Sequence, residues 1–138
     1  MADTLVPMKV DVLTPDALVY SDEGVDMVIA RALDGDFAVM KNHLPLAAAL
    51  QVCQVRIQKG GKEKKIAVFG GFLEMKDNYV NIITPQAETA ENIDIPRAEA
   101  AMARARNRLA HVTPDIDVDR AKAALQRALV RIQVSGKN

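Results

Sequence analysis

Tryptophan is absent from the 138 residues, aromatic side chains amount to only 4%, and the charges cancel, with Lys+Arg and Asp+Glu both totalling 18. A nucleic-acid binder needs a basic excess and stacking aromatics, so this composition argues against that class. Cys53 is the single cysteine, which excludes an intramolecular disulfide and suits a reducing compartment. It sits in an apolar run and reads as a core thiol rather than a reactive one. The longest apolar run, residues 44–50, is interrupted by Pro45 and is far shorter than the roughly 20 residues that a membrane-crossing helix needs. Residues 1–4 show neither a basic-then-apolar signal nor an Arg-rich transit pattern, so a cytoplasmic protein is expected. Chemistry-bearing motifs are equally scarce. There is no phosphate loop, zinc spacing, hydrolase elbow or dinucleotide fingerprint, and His43 and His111 have no cysteine partner for a metal. Glu88, Glu91 and Asp94 near a helix start read as capping groups and dipole complements rather than as acid–base catalysts. Neither a catalytic constellation nor a metal site is expected.

What is present divides into two halves with different periods. Up to about residue 83 the pattern is short and two-periodic, with Val10, Val12 and Thr14 alternating with Lys9, Asp11 and Leu13. Strand-like runs follow at residues 18–20, 25–30, 37–40, 51–58, 64–69, 72–75 and 79–83. Thr14-Pro15-Asp16, Leu33-Asp34-Gly35-Asp36, Lys59-Gly60-Gly61-Lys62 and Lys76-Asp77-Asn78 mark turns, and Gly60-Gly61 and Asp77-Asn78 tolerate the positive φ of tight hairpins. Gly70-Gly71 between two strands predicts a kink, a bulge or a close backbone approach. An all-β sandwich or flattened barrel over residues 1–88 accounts for this half.

After Thr84-Pro85 alanine becomes common and no glycine occurs from Glu91 until Gly136. Ala98, Ala101, Met102, Ala105, Leu109 and Val112 form one helical stripe; Ala121, Ala124, Leu125, Ala128, Leu129 and Ile132 form another. His111-Val112-Thr113-Pro114-Asp115 breaks them apart, so residues 89–138 predict an α-helical hairpin. The helices repeat each other: Ile93-Asp94-x-x-Arg97-Ala98 is matched by Ile116-Asp117-x-x-Arg120-Ala121. Asp94 and Asp117 are natural N-caps. Arg97, Arg104 and Arg108 lie along one edge of the first stripe and Arg120, Arg127 and Arg131 along the second, so the guanidinium groups are expected to line one shared crevice. Alanine buries little area, and isolated helices of this length are marginal in water, so the hairpin should be loosely attached.

Five stretches in order, Val10-Asp11-Val12-Leu13-Thr14-Pro15, Asp34-Gly35-Asp36-Phe37, His43-Leu44-Pro45-Leu46, Gly70-Gly71-Phe72-Leu73-Glu74 and Ala87-Glu88, precede Ile93-Asp94-x-x-Arg97-Ala98. Together they resemble the epsilon subunit family of bacterial F-type ATP synthases across nearly the whole chain. The resemblance implies a sandwich of about ten strands with a C-terminal helical hairpin, and a non-catalytic central-stalk rotor subunit of a proton- or sodium-translocating complex. It implies that the sandwich grips the gamma subunit and sits on the c-ring, with Asp36 and His43 in the c-ring-facing loop. The hairpin would extend into the alpha/beta catalytic hexamer to inhibit ATP hydrolysis. It further implies a regulatory ATP on the folded hairpin, with no required cofactor: Glu88, Ile93, Asp94, Arg97 and Ala98 at the base and sugar, Arg97, Arg104, Arg127 and Arg131 at the phosphates. The location implied is the cytoplasmic face of the cell membrane, with membrane contact only through the complex. From the residues alone, a stand-alone adaptor whose hairpin docks on a partner helix is the alternative.

Overall fold

The computed structural model describes residues 6–136; residues 1–4, read above for targeting signals, lie outside them. Ten strands come first: β1 (Lys9–Leu13), β2 (Leu18–Asp22), β3 (Met27–Ala32), β4 (Gly35–Met40), β5 (Leu46–Ala49), β6 (Val52–Lys59), β7 (Lys62–Phe69), β8 (Phe72–Lys76), β9 (Tyr79–Ile83) and β10 (Ala87–Thr89). A 3-10 turn (Ala90–Asn92) leads into α1 (Ile95–Ala110) and α2 (Val118–Ser135). The strands form two five-stranded sheets, ordered β2-β1-β9-β8-β5 and β10-β7-β6-β3-β4. This is the sandwich, with the helical pair after it.

Period-two patterning explains the core. Val10 and Val12 of β1, Val55 and Ile57 of β6, Leu73 and Met75 of β8, and Val80 and Ile82 of β9 turn inward and are almost fully buried together. Two hairpins are set by their turn residues. Gly60 and Gly61 take φ of +57° and +77°, and Asp77 and Asn78 take +52° and +59°. Consecutive left-handed residues match the twist of a two-residue hairpin.

Three details depart from the sequence reading. β5 and β10 lie in segments that gave no strand signal; each is short and forms the edge of its sheet. Thr14 ends the alternation rather than extending it, because its hydroxyl accepts from the Ala17 amide at 3.2 Å and closes the turn. Asp11 is buried although it occupies the polar phase of β1. That strand is flanked on both sides, and the Asp11 carboxylate accepts from the Ser21 hydroxyl at 2.5 Å and the Tyr79 hydroxyl at 2.6 Å.

Those contacts have a measurable consequence. The chain holds two tyrosines, and both phenols are pushed up in pKa. Burial and then the Asp22 carboxylate raise Tyr20 from 10.0 to about 12. The hydrogen bond to Asp11, followed by burial, raises Tyr79. A raised folded-state pKa contributes stability that is complete below pH 10 and is lost as the pH climbs through about 12. A phenolate absorbance titration should therefore show clearly less than half of the full ionisation at pH 10, where free tyrosine is half ionised. Half the full signal at that pH would contradict this arrangement.

At one end of the sandwich, Asn78 joins three segments. Its side-chain oxygen accepts from the Asn42 amide at 2.6 Å, its side-chain amide donates to the Asn42 side chain at 3.0 Å, and its carbonyl accepts from Lys9 at 2.8 Å. This buried residue pins the loop that carries His43 to the β8–β9 turn.

Candidate cationic cleft and loop surface

The helical repeat is capped as its spacing demands. Asp94 and Asp117 each accept a hydrogen bond from the backbone amide three residues on, Arg97 and Arg120, at 3.1 Å. Each cap is worth about 1 kcal/mol. α2 ends at Gly136, whose φ of +79° is left-handed. Ala98 and Ala105 of α1 and Ala121 and Ala128 of α2 are buried at a seven-residue spacing, and the two helices pack against each other. Val112, assigned to the first stripe, lies beyond the end of α1 and is 56% exposed.

The hairpin is not held by alanine alone. A second face of α2 presents Val130 and Val134, which join Ala67 and Phe69 of β7 and Ile93 in a separate apolar cluster on the second sheet. Each valine contributes about 1.5–2 kcal/mol by burial. Gln126 donates to the Val52 carbonyl at 3.3 Å. Glu88 stands on β10, opposite Ala67. Rather than complementing a helix dipole, it accepts from Arg131 Nε at 2.8 Å. The Arg131 guanidinium also covers the Phe69 ring, 4.6 Å from its centroid. A pair with one-quarter or less of each side chain exposed, on top of an aromatic face, fixes Arg131 more firmly than a surface ion pair.

Between α1, α2 and β10 lies a cleft of about 410 Å³. Its walls include Glu88, Asp94, Arg97, Ala98, Arg104, Arg127 and Arg131, with Ala101 and Ala124 among them as small residues that leave room. Ile93 is not in this lining; it is buried in the apolar cluster beneath α2. The six repeat arginines do not share one crevice. Arg108 and Arg120 line a neighbouring cleft of about 490 Å³ at the loop end of the hairpin, and Arg127 borders both. Among the described residues, Arg97, Arg104 and Arg127 take part in none of the ion pairs, so three guanidinium groups face the first cleft without a carboxylate partner. That donor set suits a polyanion, since guanidinium forks match phosphate oxygens.

Asp36 and His43 border one open concavity of about 540 Å³ at an end of the sandwich, with Leu46 and Ala47 behind them. Asp36 pairs with Arg31, Nε to Oδ1 at 2.7 Å, and this hydrogen bond holds its carboxyl below the usual range. His43 Nδ1 lies 2.8 Å from the Leu44 carbonyl oxygen. Leu33 and Leu44 nearby are 70% and 79% exposed.

A further apolar surface escaped the sequence reading. Leu18, Leu13, Ile83 and Phe72 stand in register across β2, β1, β9 and β8. Leu18, Ile83 and Phe72 are about half exposed on the outer face of the first sheet. The signal was there: each occupies the polar phase of its strand yet is apolar.

No helix among the described residues is long and apolar enough to cross a membrane. The family model for the ATP synthase delta/epsilon chain β-sandwich domain matches residues 7–90, and the long α-helix domain of the same chain matches residues 91–136. The ATP synthase epsilon chain of Bacillus subtilis is 47% identical over 130 residues, covering 94% of this chain and 98% of the relative. That of Pelotomaculum thermopropionicum is 46% identical over 129 residues, covering 94% and 96%. A chain in the Euglena gracilis mitochondrial ATP synthase superposes with a TM-score of 0.76 at 20% identity, covering 94% of this chain and 82% of that one, which shows the shared fold. Sandwich, hairpin and the sequence that builds them agree over nearly the whole length, and the chain belongs to the ATP synthase delta/epsilon chain family.

Proposed function

We propose that this chain is the non-catalytic central-stalk rotor subunit of a bacterial F-type ATP synthase, with a hairpin that regulates ATP hydrolysis. Membership of the family carries the first part. The observation that carries the second is the closed hairpin: a narrow apolar patch attaches it, and a cleft of guanidinium groups from both helices lies open beside it.

In this reading the sandwich binds the gamma subunit through the apolar row of Leu13, Leu18, Phe72 and Ile83. It meets the c-ring with the concavity bordered by Asp36 and His43 and the exposed Leu33 and Leu44. The complex works at the cytoplasmic face of the membrane, and the chain touches the membrane only through its partners. When the hairpin opens, its helices reach the alpha/beta hexamer.

ATP fits the first cleft as a regulatory ligand. Arg97, Arg104 and Arg127 would hold phosphate oxygens, Arg131 is steadied by Glu88, and Ala98 leaves space for the flat end of the nucleotide. Because the donors come from both helices, a ligand bound among them favours the closed state. Calorimetry of the full chain should show one ATP site, and Arg97→Ala should weaken it about tenfold or more, the worth of a charge-assisted hydrogen bond. Unchanged affinity would remove Arg97 from the site. Co-expression with the gamma subunit should give a stable complex that Phe72→Asp disrupts. Failure of the unmodified chain to bind gamma would end the rotor reading.

A further inference from the structure

We infer that the loop end of the hairpin carries a second anion site, where a phosphate group is held between Arg108 of α1 and Arg120 and Arg127 of α2. These three residues border the cleft of about 490 Å³ described above. Arg108 lies in the last turn of α1, and Arg120 in the first turn of α2. The site is therefore assembled across the seam, and it exists only while the helices lie together.

Charge accounting points to a ligand. Arg31, Arg56 and Arg131 each hold a carboxylate at 2.7–2.8 Å. Among the described residues, Arg108, Arg120 and Arg127 hold none within ion-pair distance. Two aspartates border the cleft, but both are engaged. Asp117 accepts from the Arg120 backbone amide as the cap of α2, and Asp115 accepts from the Thr113 hydroxyl. Three guanidinium groups against two carboxylates leave a small positive excess, so the ligand should be compact and rich in acceptors rather than a long acidic surface. A tetrahedral phosphate presents oxygens that guanidinium forks take two at a time.

The phosphate has two sources. It is free inorganic phosphate, or it is part of a polyphosphate chain that continues from the first cleft. The two clefts share Ala124 and Arg127, so a chain of phosphates has a continuous cationic path along the seam. Arg127 borders both clefts, so nucleotide in the first would share that donor, whereas Arg108 and Arg120 belong to the second alone.

Titration of the isotope-labelled full chain, followed by amide and arginine side-chain NMR signals, tests this. Inorganic phosphate should shift residues 116–124 and the Arg108 and Arg120 side chains saturably, and sodium chloride of equal ionic strength should not. Arg108→Gln with Arg120→Gln should weaken that response about tenfold or more. Both residues lie outside the first cleft, so the response of residues 92–101 to ATP should persist in the double variant. Tripolyphosphate separates the sources: a bridging chain shifts Arg104 and Arg120 together with one affinity, and separate phosphates give two independent saturations. The site is overturned if neither probe shifts residues 116–124 beyond the salt control, or if the double variant binds like the unmodified chain.

Discussion

Gly71→Ala should destabilise the sandwich by about 3–5 kcal/mol, a large share of the stability of a domain this size. A Cβ at this position would lie 2.0 Å from the Ile83 carbonyl oxygen and 2.8 Å from Thr84 Cα, at a φ of +98°. Both neighbours are backbone, so no side chain can rotate away. Moving them would separate β8 from β9 and break the 2.8 Å bond from the Leu50 amide to the Gly71 carbonyl. Gly70→Ala is the control. It shares a positive φ of +87°, but its nearest contact is the Leu50 carbonyl oxygen at 3.9 Å. It should lose only the about 1–2 kcal/mol of stability that the backbone strain costs. Urea unfolding midpoints of the two variants should therefore separate widely; equal midpoints would show that the close approach at Gly71 is unimportant.

Val130→Asp should lift the hairpin from the sandwich without unfolding it. Val130 is 2% exposed, packed with Ala67, Phe69, Ile93 and Val134. An unpaired carboxylate in that cluster costs several kcal/mol, more than the two valines contribute by burial. The sandwich core is a separate cluster, built from both sheets, and should keep its structure. Hydrogen exchange should accelerate across residues 118–135 and stay slow in β6 and β9. Arg127 and Arg131 would leave the cleft with α2, so the proposed ATP site should weaken in parallel. Ala123→Asp, on the exposed side of the same helix, should change neither. Unaltered exchange in Val130→Asp would mean that other contacts hold the hairpin down.

The parts legible in the sequence are those governed by short-range rules. Alternation and turn residues located eight of the strands, and the Asp-x-x-Arg repeat located both caps. Longer-range features were harder. Asp11 reads as a surface residue until β2 and β9 bring Ser21 and Tyr79 to it. The docking face of α2 was hidden by its alanine stripe. Val130 and Val134 are one turn apart, but only the fold shows that Phe69 and Ile93 receive them. The expected single arginine crevice failed on length. Arg97 and Arg108 are three helical turns apart, about 16 Å along the axis, which is too far for one small cleft. Their division between two clefts follows from that distance. Asp36 and His43 carry no signal of their own, and their shared concavity depends on how β4 and the following loop fold back. Glu88 was legible as a residue near the helices, but its partner Arg131 is 43 positions away.

A hairpin held lightly and closed by an anion is tested most directly by hydrogen exchange of the full chain with and without ATP. At an ATP concentration 100 times its dissociation constant, opening of α1 and α2 should become about a hundredfold rarer, and exchange there should slow accordingly. Arg97→Ala should cut that protection about tenfold or more at the same ATP concentration, and the sandwich strands should be unaffected in both. Equal exchange of the two helices with and without ATP in the unmodified chain would contradict the proposal. So would helices that, without ligand, already exchange as slowly as the core of the sandwich.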